Sequence, residues 1–177
     1  MTSPVNVALQ SWFPGSQELV RTRFGIEFDP NADVWPIDGR QSIDAAGLWP
    51  LVSAELQPGL KQTIRTAAAK YSWATLHQFA FAIRHLRKAM FDGPVSRWNI
   101  ADFRQYRDIL LKEFGHEDYL RSIRSLLLLW YQGRWPGVDK HLIDALKAMR
   151  LKGTQVGRAV RVGDDGKGPL TEQELYS

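Results

Sequence analysis

Apolar residues recur at helical spacing from residue 60 onward. Leu60, Ile64, Ala67 and Ala68 mark a first short helix that ends near Tyr71. Ser72 is a suitable N-cap for a longer helix with Trp73, Leu76, Phe79, Ala80, Ile83, Leu86 and Met90 on its inward face. Asp92-Gly93-Pro94 closes that helix. Asn99 caps the next, which buries Ile100, Phe103, Tyr106, Leu110 and Phe114 and stops at Gly115. Leu120, Ile123, Leu126, Leu127 and Trp130 define another long helix, ended by Gly133. Beyond the Trp135-Pro136-Gly137 break, Val138, Leu142, Ala145, Leu146 and Met149 predict a last one. Four consecutive leucines, Leu126 to Leu129, make their helix apolar on more than one face and place it at the bundle centre.

The first 60 residues follow another pattern. Phe24-Gly25-Ile26-Glu27-Phe28 alternates apolar and polar, Asp29-Pro30-Asn31-Ala32-Asp33 reads as a turn, and Val34-Trp35-Pro36-Ile37 follows. This predicts a short hairpin with Pro36 on an edge strand. An isolated pair of strands is marginal and needs something to pack on. After Gly153 the helical pattern fades into a Gly-rich basic linker, with Val160-Arg161-Val162 as a candidate short strand. Thr171 and Glu174 then form a Thr-x-x-Glu capping box with no apolar run behind it. The chain therefore reads as the front part of a longer protein. The expected architecture is mainly α, a compact bundle of four to five helices with a small N-terminal β-hairpin-containing extension. Residues 1–59 form an accessory extension, 60–152 the helical domain, and 153–177 a linker with the start of a further domain.

Composition narrows the chemistry. The 177 residues contain no cysteine, which excludes disulfides, thiolate catalysis and cysteine-ligated metal. No basic segment with an apolar h-region opens the chain, and no run of about 20 apolar residues occurs, so a soluble cytoplasmic protein is expected. The net charge of +4 is unevenly spread: residues 61–163 carry 19 Lys/Arg against 8 Asp/Glu, while residues 1–60 carry 3 against 7. The middle block is the one suited to a polyanion.

The familiar catalytic and cofactor signatures are missing. His77, His85, His116 and His141 form no metal-binding pair, and Gly163-Asp164-Asp165-Gly166-Lys167-Gly168 has two acids that would repel a phosphate. No cofactor, metal or small-molecule substrate is expected. Ser72, Thr75 and Gln78 open one long helix, with Arg84, His85, Arg87 and Lys88 toward its end. Arg121, Ser122, Arg124 and Ser125 leave the apolar stripe of the leucine-rich helix, with His116 just before it. Short polar groups and arginines on two helices suit phosphates and base edges of duplex DNA. Lys152, Arg158 and Arg161 add a basic strap able to follow a phosphate backbone. Most of the seven tryptophans fall on core stripes or beside turns, so packing accounts for them better than base stacking. A helical module that docks on a protein, its basic face serving solubility, is the alternative. A small helix-turn-helix regulator fits less well because these helices are long.

Residues 60–175 resemble the tyrosine recombinase (phage integrase) family. The resemblance rests on Ser72-Trp73-Ala74-Thr75 opening a long helix and on Leu120-Arg121-Ser122-Ile123-Arg124-Ser125-Leu126. It rests further on Trp130 followed by Gly133 and Pro136-Gly137, and on Gly168-Pro169-Leu170-Thr171-Glu172-Gln173-Glu174-Leu175. It implies a SAM-like core-binding domain followed by the first residues of a catalytic domain. In that family the two domains clamp duplex DNA, and the core-binding helices enter the major groove. Ser72, Thr75 and Gln78 would then lie on one DNA-facing helix and Arg121, Ser122, Arg124 and Ser125 on another. The family's catalytic arginines, lysine, histidines and tyrosine nucleophile come after the capping box, so Tyr176 is not that nucleophile. The resemblance thus implies that the chain binds a recombination site without cutting it. It also implies homo-oligomers on DNA and a bacterial or phage protein associated with the nucleoid when bound.

Overall fold

A computed structural model describes residues 19–151. Four short strands come first: β1 (Val20–Arg21), β2 (Glu27–Phe28), β3 (Val34–Pro36) and β4 (Ser42–Asp44). A 3-10 turn at Trp49–Leu51 leads to α1 (Gln57–Lys70), α2 (Trp73–Met90), α3 (Ile100–Phe114), α4 (Asp118–Gln132) and α5 (Lys140–Ala148). The mainly helical bundle expected from the apolar spacing is present, with five helices among the described residues.

The strand pairing differs from expectation. β2 and β3 do not form one hairpin; β1 pairs antiparallel with β2, and β3 with β4. Local hydrogen bonds explain the change. Thr22 Oγ1 accepts from the amides of Phe24 and Ile26, and Gly25 takes φ +83°, which closes the first hairpin. Asp38 Oδ1 accepts from the amides of Arg40 and Gln41 and closes the second. Asp29 receives the Asn31 amide at 2.8 Å, and the Trp35 indole donates to Ala32 O at 2.9 Å. Residues 29–33 therefore join two hairpins rather than forming the tip of one.

Both hairpins feed the same core as the helices. Phe28, Trp35, Ile37, Ile43, Leu48, Leu51 and Leu56 are buried in one cluster with Leu60, Ile64, Leu76, Ile83 and Leu126. The Trp73 indole donates to Ser42 O at 2.9 Å, which ties α2 to β4. A parallel bridge between Val52 and Val95 ties the N-terminal segment to the α2–α3 loop.

α4 is the hub of the bundle, contacting each of the other four helices. Leu120, Ile123, Leu126, Leu127, Leu129 and Trp130 are buried along it. Asn99 caps α3 by accepting the Ala101 amide at 2.8 Å, and Gly115 ends it at φ +71°. Asp139 caps α5 in the same manner through the Leu142 amide.

One inward assignment does not hold. Phe114, the last residue of α3, is 42% exposed, with its ring against His85, His116 and Tyr119. Trp73 is half-buried, with its ring stacked on His77. Met90 is half-buried at the end of α2, and both it and Trp73 pack against the core as expected.

Candidate nucleic-acid interface

α2 and α4 pack side by side, and their outward shoulders leave a groove of about 440 Å³. Thr75 and Gln78 line it from α2, and Arg121, Ser122 and Ser125 from α4. Tyr71, Phe79 and Asp118 complete the walls. The helical spacings 75/78 and 118/121/122/125 put these side chains on single faces, so two sequence-distant clusters meet across one groove.

Arg121 is the cation of this groove. Its guanidinium donates to Asp118 Oδ1 at 3.2 Å and to Leu151 O at 3.4 Å, and its side chain is 42% exposed. Asp118 lies in the first turn of α4, where a carboxylate complements the helix N-terminus. It also sits 3.4 Å from His116 Nδ1. Ser122 and Ser125 return their hydroxyls to the backbone of α4, at Asp118 O and Arg121 O. They make the wall small and polar while their own donors are engaged. Ser72 occupies the N-cap position of α2, but its hydroxyl meets Thr75 Oγ1 at 3.3 Å rather than a backbone amide.

Arg124 stands apart from the groove. Its guanidinium donates to Met149 O at 3.1 Å and Leu146 O at 3.5 Å, where it caps the C-terminal end of α5. Burial, with a smaller contribution from the neighbouring Arg121 charge, lowers its pKa from the ordinary guanidinium value. His116 borders the groove through Asp118 and stacks on Phe114. Lys152, Arg158 and Arg161, with the strand expected at 160–162 and the capping box at 171–174, lie outside the described residues.

Within the groove the charges of Arg121 and Asp118 oppose each other. Outside the groove, α2 carries Arg84, Arg87 and Lys88 and no acid in its 18 residues. Asp118, Tyr71 and Phe79 are the lining residues that the pattern of basic and hydroxyl side chains did not single out. Asp118 was legible as the residue three before Arg121 on the same helix face.

Two ionic clusters elsewhere have structural roles. Arg107 pairs with Glu117, which is fully buried, and also donates to Arg150 O at 3.1 Å. His85 lies between Tyr106 Oη, at 2.8 Å from Nδ1, and Glu113, at 3.3 Å from Nε2. Among the described residues no three His, Cys, Asp or Glu side chains converge as metal ligands would, and no helix is long and apolar enough to cross a membrane. No protein-family profile, curated protein or solved structure matches this chain.

Proposed function

We propose that this chain grips duplex DNA along the groove between α2 and α4, as the core-binding region of a site-specific tyrosine recombinase. The observation that carries the reading is the convergence of Thr75, Gln78, Arg121, Ser122 and Ser125 on one open groove. These residues come from two segments more than 40 positions apart in the chain, and both were singled out for the same chemistry. Gln78 is exposed and has the donor–acceptor pair that suits an adenine edge, while Arg121 suits a guanine edge or a phosphate. On this reading the chain positions a recombination site for strand exchange and does not itself cleave it. Homo-oligomers would form on the DNA, and no cofactor takes part.

The competing reading is a helical module that docks on a protein. Its support is the apolar exposure at Phe81 and Phe114. Duplex titration by fluorescence anisotropy separates the two. Arg121→Ala should weaken duplex binding by about 1–3 kcal/mol, while the loss of its bonds to Asp118 and Leu151 O costs the fold about 1 kcal/mol or less. Wild-type affinity in that variant would remove α4 from the interface. No duplex affinity in the parent chain would favour the docking module.

A further inference from the structure

α2 carries a second outward feature, next to the groove and distinct from it. Trp73, His77 and Phe81 form a ladder of rings at four-residue spacing. Trp73 and His77 stack at 4.5 Å with 20° between planes, and His77 meets Phe81 at 4.8 Å with 59°. The ladder is fixed at one end by the Trp73 bond to Ser42 O and open at the other, where Phe81 is 46% exposed. Arg84 and Lys88 continue the same helical stripe, at positions seven and eleven beyond His77. Neither forms an ion pair among the described residues. Glu113, which borders Lys88 across the α2–α3 crevice, is 3.3 Å from His85.

An exposed ring tilted against a stacked Trp–His pair, followed along an acid-free helix by two cations, fits a polyanion that also presents flat apolar faces. Single-stranded nucleic acid has both properties, because its bases are free to stack and its phosphates follow at regular intervals. Duplex DNA hides its base faces, so the ladder adds nothing for an intact helix. An acidic protein surface would satisfy the cations but would use Phe81 only as an apolar contact.

We propose that the His77–Phe81 stripe is a stacking platform for unpaired nucleotides of single-stranded DNA, with Arg84 and Lys88 taking the phosphates. Phe81 stands three residues beyond the groove residue Gln78 on α2. The platform stands on its own geometry and does not require the groove reading to be correct.

The test uses the full chain and a fluorescein-labelled oligothymidine of about 15 nucleotides, near the upper end of single-strand site sizes. Phe81→Ala should weaken binding roughly 5- to 150-fold, the ratio that stacking of one base on an aromatic ring carries. Phe81→Leu should be nearly as weak, and Phe81→Trp should bind at least as well as the parent chain. Because Phe81 is exposed, all three should keep the parent's thermal melt. Arg121→Ala should retain its oligothymidine affinity whatever happens to its duplex affinity, which keeps the two sites separable. Parent-like binding by Phe81→Ala or Phe81→Leu would overturn stacking. Equal losses in Arg121→Ala and Phe81→Ala would overturn a separate platform. A parent chain that ignores oligothymidine but self-associates through Phe81 would assign the stripe to a second copy instead.

Discussion

Gly59→Ala offers a sharp test of how the bundle is packed. In an unobstructed helix this exchange stabilises by up to about 1 kcal/mol. Here the sign should reverse. Gly59 lies in the first turn of α1 against the indole of Trp130, the fully buried tryptophan of α4. A Cβ at position 59 would stand 2.1 Å from Trp130 Cζ2, 2.3 Å from Cε2 and 2.6 Å from Nε1. The ring has little room to withdraw, because Nε1 donates to Pro136 O at 2.9 Å and its other side meets Trp98 edge-on. Overpacking of this type costs about 1–3 kcal/mol, and loss of the indole hydrogen bond adds about 1 kcal/mol. After the helix-propensity gain, the net expectation is a loss of about 1–3 kcal/mol. For a domain of this size that lowers Tm by roughly 3–5 °C per kcal/mol. Urea denaturation followed by tryptophan fluorescence reads the change directly. A Gly59→Ala chain as stable as the parent would refute the close approach of α1 to Trp130, and with it the role of α4 as hub.

Other substitutions probe the groove and the clusters around it. Asp118→Asn removes the one carboxylate that lines the groove among the described residues, so duplex affinity should rise severalfold, while the lost N-terminal charge on α4 costs about 0.3–1 kcal/mol of stability; anisotropy and thermal melts report the two effects. Arg124→Ala should lower stability by about 1–2 kcal/mol, as the α5 carbonyls lose a charged donor, and should change duplex affinity less than Arg121→Ala does. Tyr106 is held above its ordinary pKa of 10.0, mainly by burial and then by Tyr119 and Glu113. The unfolded chain therefore releases this proton first as pH rises past 10, the folded state binds more protons, and stability falls with a slope approaching about 1.4 kcal/mol per pH unit. Tyr106→Phe should flatten that alkaline slope in urea titrations, while losing about 1 kcal/mol at neutral pH for the bond to His85.

Helix positions were legible because their apolar residues repeat at helical spacing and their ends carry strong signals. Asn99, Gly115 and Gly133 each stand at the predicted boundary. The leucine run also pointed correctly to the central helix. The strands were harder, since alternation over five residues does not say which neighbour completes the pair. Asp38-Gly39 is itself a strong turn signal, and it outranked the longer turn at 29–33. Periodicity likewise assigned Phe114 to the core, although this last residue of α3 is 42% exposed. The pairing of Thr75 and Gln78 with Arg121 across one groove followed from two helix faces. Arg124 was indistinguishable from Arg121 by sequence alone. Only the position of the α5 C-terminus, reached through a chain reversal at 133–139, separates a groove residue from a structural one.

The most direct measurement of the central claim is duplex affinity as a function of salt. A labelled duplex titrated with the full chain between 50 and 200 mM salt should give a straight line of log affinity against log salt. With about three to five phosphates neutralised, affinity should fall roughly 40- to 500-fold over that range, and Arg121→Ala should reduce the slope by about one. A flat line, or no duplex binding at 50 mM salt, would contradict a DNA-gripping bundle and leave the basic face to a protein partner.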